Sequence, residues 1–84
     1  MEPLAREIAD RTLDTSGTFC PVPIIETAKA VRAMAPGERL LLVGTDPGIE
    51  SDIEAWCRST KNALERLWRE GKSIRALVRK APPA

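Results

Sequence analysis

The chain has 84 residues, of which 43% are hydrophobic and 30% are charged, and its formal net charge is +1. A chain of this length buries about 60% of its unfolded surface, so we expect one small domain with a single apolar layer. Two cysteines and no histidine exclude a disulfide framework, a zinc site and acid–base catalysis by imidazole.

No segment has the pattern of a membrane span or a signal peptide. The longest apolar run is Leu40–Val43, and residues 1–7 carry acids where a signal peptide carries bases and then an apolar run. We therefore expect a cytoplasmic protein that has no membrane partner and whose thiols stay reduced.

The first half of the chain has the patterns of a strand, a helix and a second strand. Residues 8–14 are typical of a weakly patterned strand that ends at Ser16-Gly17. Residues 21–35 have helical spacing, and Pro36-Gly37 ends that helix. Residues 39–44 are nearly all apolar, which indicates a central strand covered by other elements. The apolar positions of the helix are Ile24, Ile25, Ala28, Val31 and Ala35.

The second half predicts a helix and a hairpin. Asp46-Pro47 and a capping box at Ser51 and Glu54 are two alternative helix starts, so this helix begins between 46 and 52. Residues 64–69 fit either an extension of the helix or a strand. We choose the strand, because residues 73–80 alternate like a strand and need a partner beside them. Gly71-Lys72 between the two is a hairpin signal. One face of the helix carries Ile49, Ile53, Trp56, Cys57 and Thr60.

The resulting order, β-α-β-α-β-β, predicts an α/β (α+β) fold. Right-handed crossovers place both helices on one face of a four-stranded mixed sheet, in a two-layer α/β sandwich whose other face is largely open. We expect residues 1–84 to form a single domain with its core at about 8–80. The ends, 1–6 and 81–84, are expected to be loose because their prolines fit neither sheet nor helix.

The near-zero net charge hides an asymmetry. Residues 65–80 hold six bases and two acids, which gives +4, so the remaining seven bases and ten acids give −3. Residues 46–54 contain four acids and no base. Either region could steer a partner by its charge, although acids also favour helix starts and bases also protect outer strands from aggregation.

Cys20 is the candidate functional residue, because it immediately precedes the proline that opens the first helix. This places it at or next to the N-cap, where the partial positive charge of the helix stabilises a thiolate and lowers the thiol pKa. Pro21 and Pro23 lack a backbone N–H, so Val22 and Ile24 are the donors left in the first turn. A lone cysteine more often fills a core, but this position predicts an exposed, reactive thiol.

Three further observations concern the chemistry of the cysteines. No base lies between Arg11 and Lys29, so further activation of Cys20 must come from elsewhere in the fold or from a partner. Cys57 lies on the apolar helix face beside Trp56, and we expect it to be buried and inert. The absence of a Cys-x-x-Cys pair argues against a dithiol oxidoreductase.

The segment around Cys20 resembles the signature of the TusA/SirA-like sulfur-carrier family, and the resemblance extends over about residues 8–80. The matching motif is Leu13-Asp14-x-x-Gly17-x-x-Cys20-Pro21-x-Pro23. The resemblance implies that Cys20 accepts sulfane sulfur as a persulfide and passes it to a partner protein. It also implies a donor such as a cysteine desulfurase or a rhodanese-like protein, and a downstream acceptor. No cofactor or metal is expected.

The sequence departs from the family pattern at two loops. Thr45 stands where family members often have the first aspartate of Asp-Asp-Pro, and Lys61-Asn62 stands where many have Gly-His. Asn62 can still adopt the left-handed conformation that ends a helix. We expect Gly17, Pro21 and Pro23 to shape the Cys20 loop. Asp46 and Asp52 are candidates for partner docking.

Two other functions compete with the carrier. A nucleic-acid-binding module is suggested by Trp68 between Arg66 and Arg69, although the acidic stretch would repel phosphate. A regulatory interaction module would leave Cys20 as a spectator. A carrier, in contrast, needs donor and acceptor proteins and is not a self-sufficient enzyme.

Overall fold

The computed structural model describes residues 9–82. Within that range the elements follow the predicted order β-α-β-α-β-β, and the predicted α+β fold with a mixed sheet is confirmed. Neither helix there is long and apolar enough to cross a membrane. The elements are β1 (Arg11–Asp14), α1 (Val22–Arg32), β2 (Arg39–Gly44), α2 (Ile49–Thr60), β3 (Ala63–Glu70) and β4 (Ser73–Arg79).

The sheet has the strand order β1-β2-β4-β3. β1 runs parallel to β2, while β4 is antiparallel to both β2 and β3. β3 and β4 form the predicted hairpin, in which Glu70 pairs with Ser73 and Gly71 adopts a φ of 61°. A two-residue connection of this kind favours a residue that tolerates positive φ, which glycine does. The prediction that residues 64–69 form a strand is therefore confirmed.

Both helices pack against one face of the sheet. Alternate residues of β2 and β4 point to that face, as the period of two in a strand requires. Burial of these side chains supplies most of the apolar layer that a chain of this size can form. The buried residues of this layer are Val31, Met34, Leu40, Leu42, Ile49, Ile53, Cys57, Ile74, Ala76 and Val78.

The prediction that the opposite face is largely open is only partly correct. Leu41 and Leu77 pair across β2 and β4 on that face, and both are buried together with Ala9. Val43 and Trp68 pack against them. This small second cluster explains why β2 is apolar at consecutive positions, because the strand is covered on both faces.

The buried face of α1 differs from the prediction. Ile25 is 47% exposed, and the buried positions are Pro23, Thr27 and Val31. Successive helix residues are about 100° apart, so Ile24 and Ile25 cannot both point into the core. Thr27 is tolerated in the core because its hydroxyl donates a hydrogen bond of 2.8 Å to the Pro23 carbonyl.

The ends of the first two elements also differ from the prediction. β1 begins at Arg11, so Ala9 precedes the strand. The predicted first residue of the strand, Ile8, lies outside the described residues. α1 ends at Arg32 instead of residue 35. The Lys80 ammonium donates hydrogen bonds to the carbonyls of Arg32 and Met34, and a cation is favourable beside the free carbonyls of a helix end.

α2 begins inside the predicted window and ends with a different residue from the one expected. Its first residue is Ile49, and the capping box does not form, because the Ser51 hydroxyl donates to the Gly48 carbonyl. Lys61, with a φ of 63°, takes the left-handed position predicted for Asn62. The Asn62 side chain is engaged elsewhere, since its carbonyl oxygen accepts the N–H of Ala81.

Replacement of Gly44 by alanine is expected to destabilise the fold. A Cβ at this buried position would lie 2.3 Å from Ile49 Cδ1 and 2.8 Å from Thr15 Oγ1. Both neighbours are themselves buried, so we expect Gly44→Ala to lower the free energy of unfolding by about 1–3 kcal/mol in urea denaturation. Gly48→Ala is the matched control, because Gly48 has helical dihedral angles and only ordinary contacts. Equal stability of the two variants would contradict this account of Gly44.

Candidate functional site

The candidate site lies at the carboxyl ends of the two parallel strands. The loop after β1 carries Cys20, and the loop after β2 carries Thr45 and Asp46. Strands that run parallel bring the loops after their carboxyl ends to one edge of the sheet, which is where α/β proteins place their sites. Thr15 fixes the first loop at its base, since both its N–H and its hydroxyl donate to the Val43 carbonyl.

The Asp46 carboxylate joins the two loops. One oxygen, Oδ2, accepts the backbone N–H of Cys20 at 2.6 Å, and the other, Oδ1, accepts the N–H of Gly48 at 3.0 Å. The hydrogen bonds from Gly48 and Cys20 hold the pKa of Asp46 below its ordinary value, because they favour the ionised carboxylate. Asp46 therefore connects the Cys20 backbone to the start of α2.

Thr45 provides a second connection between the loops. Its hydroxyl oxygen accepts the N–H of Gly17 at 3.0 Å. Gly17 has a φ of 83°, a conformation that favours glycine, and this turn directs its N–H to Thr45. The residue that departs from the family pattern thus contributes a hydrogen bond that the sequence pattern alone did not indicate.

Cys20 lies next to the N-cap of α1, as predicted, and is exposed. The N-cap itself is Pro21, and the Cys20–Pro21 peptide bond is cis. Pro21 is exposed, whereas Pro23 is buried in α1. The N–H of Val22 donates to the Phe19 carbonyl at 2.9 Å, so it does not face the sulfur. The first turn therefore offers the thiol fewer free donors than we predicted.

The prediction that the helix lowers the thiol pKa is wrong. The pKa of Cys20 is raised, first by a hydrogen bond to the Asp52 carboxylate, then by desolvation and by the negative charges of Asp52 and Asp46. Asp52 lies in the first turn of α2, and the fold brings it to a cysteine 32 positions earlier in the sequence. Both acids named as docking candidates thus lie at Cys20, where they favour the protonated thiol.

An apolar patch formed by Phe19, Val22 and Ile25 adjoins Cys20. Their exposed fractions are 70%, 40% and 47%, and they are the exposed large hydrophobic residues of the described chain. All three lie within five positions of Cys20. The helical spacing did not indicate this patch, because it placed Ile25 among the apolar positions of the helix. The adjacent pair Ile24-Ile25 was the available signal, since only one of the two can face inward.

Cys57 has the surroundings predicted for it. It is buried in the core between the sheet and α2. Burial raises the pKa of the Cys57 thiol to about 11. A protonated thiol without access to solvent is a poor nucleophile, so we expect Cys57 to be inert in the folded protein.

The basic region 65–80 is largely engaged in contacts within the protein. The Arg66 guanidinium lies 4.4 Å from the centroid of the Trp68 ring and covers one of its faces. This arrangement weakens the prediction of a nucleic-acid-binding module, because base stacking on that face would displace Arg66. The ion pairs of the region are Arg69–Glu50, Arg75–Glu70, Arg79–Glu65 and Arg39–Glu65.

We expect alkylation by iodoacetamide to report the raised pKa of Cys20. In a Cys57→Ser background the rate should rise with pH through a midpoint above about 8.5, because the thiolate is the reacting species. Cys20→Ser, which retains Cys57, should react slowly until the protein is unfolded. A Cys20 midpoint well below 8.5 would show that the helix terminus, not the two acids, controls the thiol.

The chain is similar in sequence to proteins whose names describe them as sulfur carriers. One of them, from Aquifex aeolicus (strain VF5), is 43% identical to this chain over 76 residues, which are 89% of this chain and 38% of that protein. The chain therefore spans well under half the length of that relative. The sulfur carrier protein TusA of Allochromatium vinosum is 38% identical over 72 residues, which are 86% of this chain and 95% of that protein.

A solved structure and a family profile complete the comparison. The SirA-like protein from Desulfitobacterium hafniense has the same fold, with a TM-score of 0.73 and 18% identity, over 86% of this chain and 99% of that chain. Residues 11–80 match the family described as Sulfurtransferase TusA. Since this match includes nearly all of the described residues, the chain belongs to the sulfurtransferase TusA family.

Proposed function

We propose that the protein is a sulfur carrier in which Cys20 accepts sulfane sulfur as a persulfide and relays it to a partner protein. The observation that carries the proposal is the exposure of Cys20 on the loop after β1. Hydrogen bonds to Asp46 and Thr45 join this loop to the loop after β2. Membership of the TusA family and relatives with sulfur-carrier names support it. The buried Cys57 leaves Cys20 as the accessible thiol of the described residues.

The proposed loading step is a thiolate exchange. The Cys20 thiolate attacks the outer sulfur of a persulfide on the donor protein, and a new S–S bond forms. The S–S bond of the donor breaks, and the donor cysteine leaves as a thiolate. The proton that Cys20 loses passes to solvent. No net oxidation occurs, and the same exchange in the opposite direction delivers the sulfur to an acceptor thiol.

The site residues have distinct parts in this proposal. Cys20 is the persulfide-forming nucleophile, while Gly17, Pro21 and Pro23 shape the loop that presents it. The positive φ of Gly17 and the burial of Pro23 support that positioning role. Asp46 and Asp52 are proposed to contact the partner, and their position beside Cys20 supports this.

The partners follow from the same chemistry. A donor must already hold sulfane sulfur on cysteine, so we propose a cysteine desulfurase or a rhodanese-like protein, with a further protein as acceptor. The carrier needs no cofactor of its own, because the exchange transfers a sulfur atom between thiols. A persulfide survives best where disulfides do not form, so we propose a cytoplasmic location. We also propose that the described residues form a single domain.

Intact-mass spectrometry after incubation with a donor tests the proposal. The donors are a cysteine desulfurase supplied with cysteine and a rhodanese supplied with thiosulfate. We expect the wild type and Cys57→Ser to gain the mass of one sulfur atom, which a reductant removes, and Cys20→Ser to gain nothing. Loading of Cys20→Ser, or no loading of the wild type by either donor, would refute the proposal and favour a module in which Cys20 is a spectator.

A further inference from the structure

Two kinds of surface meet at Cys20. The apolar patch of Phe19, Val22 and Ile25 begins at the residue before the cysteine and continues along the exposed side of α1. The Asp46 carboxylate accepts the Cys20 backbone N–H, and the carboxylates of Asp46 and Asp52 both lie beside Gly48 at the start of α2. Exposed large hydrophobic residues that gather beside a reactive group mark an interaction surface, because a soluble domain gains nothing by displaying them there.

We infer that the apolar patch, together with Asp46 and Asp52, docks a partner protein that presents an apolar surface with a lysine or arginine beside its own reactive cysteine. This inference rests on the proposed carrier function, and it specifies the chemistry that a donor or an acceptor must display. The patch contributes affinity, because buried aromatic and aliphatic side chains carry most of the binding energy of small interfaces. The acids contribute orientation and association rate.

Charge selects this occupant over a second copy of the chain. A symmetric dimer formed through the patch would bring the Asp46 and Asp52 carboxylates of one copy close to those of the other, which is unfavourable. The same two acids would repel the phosphates of a nucleic acid or an anionic membrane. A basic protein surface is complementary to both carboxylates.

Docking would also change the state of the thiol. In the free protein Asp52 and Asp46 raise the pKa of the Cys20 thiol, which favours its protonated form. A partner cation that pairs with Asp52 neutralises its charge and competes for its oxygen atoms. Cys20 then releases its proton to solvent in the complex, where the sulfur to be attacked is already in place. The contact that recognises the partner therefore also activates the nucleophile.

Variants of the patch and of the acid separate docking from intrinsic reactivity. The patch variant is Val22→Ser combined with Ile25→Ser, and Lys29→Ser, farther along the exposed side of α1, is its control. The acid variant is Asp52→Asn, with Glu54→Gln in the same helix as its control. Each protein is tested in three separate assays. The first is loading by a subsaturating amount of a cysteine desulfurase supplied with cysteine, the second is loading by inorganic polysulfide, and the third is alkylation with iodoacetamide at pH 7. Loading by a rhodanese with thiosulfate replaces the first assay if the desulfurase does not load the wild type.

The two variants should give different patterns. The patch variant is expected to load about tenfold more slowly from the donor protein, with unchanged polysulfide loading and alkylation. Asp52→Asn should move two rates in opposite directions. Alkylation should become about two- to fivefold faster because more thiolate is present, while loading from the donor becomes slower and less sensitive to salt. The control variants should stay close to the wild type in every assay.

Two results would overturn the inference while leaving the proposed function intact. One is wild-type loading of the patch variant by the donor protein. The other is faster loading of Asp52→Asn by the donor as well as faster alkylation, which would mean that the acid only restrains the thiol. If a variant lost polysulfide loading too, its site would be misfolded, and Phe19→Ser in the loop would then decide the patch. Loading of Cys20→Ser would instead refute the carrier function itself.

Discussion

The Asp46 carboxylate, with one oxygen on the Cys20 N–H and the other on the Gly48 N–H, is the contact on which the geometry of the site depends. It joins the loop after β1 to the start of α2 and thereby sets where the sulfur lies relative to Asp52. Its pKa is lowered, so its stabilising contribution is present above the pKa of an unfolded aspartate, about 3.9, and is lost as the pH falls through its folded value. The contact therefore persists at neutral pH.

The same carboxylate has an electrostatic consequence for the nucleophile. Fixing the loop with Asp46 places a negative charge beside Cys20, and Asp52 adds a second one together with a hydrogen bond. The raised thiol pKa keeps most of the free protein in the less reactive protonated form. In the proposed carrier, the thiol therefore becomes reactive only in the complex with a partner. A thiol that needs a partner cation for activation reacts slowly with oxidants or small electrophiles while the protein is free.

The secondary structure was predictable where the sequence pattern has one physical solution. The apolar run 39–44 and the alternation in 73–80 each required a buried strand, and the glycine between β3 and β4 indicated a hairpin. The prediction was wrong where two residues compete for one position. Ile24 and Ile25 both suit a core, and the rest of the packing, including the hydrogen bond from Thr27, decides which one is buried. Lys61 adopts the left-handed conformation at the end of α2, while the Asn62 side chain accepts the N–H of Ala81.

The site was only half predictable for a related reason. Cys20 was identified from its neighbours in sequence, and so was the absence of nearby bases. Its pKa, however, depends on Asp46 and Asp52, which are more than 25 positions away and reach the thiol only because β1 and β2 are parallel. Likewise, the Thr45 hydroxyl and the Gly17 N–H are 28 positions apart in sequence and meet only in the folded protein. Local rules for helix termini cannot include charges that the topology brings in.

The central claim, that Cys20 carries sulfur between proteins, is tested most directly by following labelled sulfur out of the loaded protein. The carrier is loaded with ³⁴S, separated from the donor, and mixed with a reduced, sulfur-free rhodanese, and the intact masses of both proteins are measured over time. We expect the carrier to lose as much label as the rhodanese gains, with little free sulfide. Label that stays on Cys20, or that leaves only as free sulfide, would contradict it.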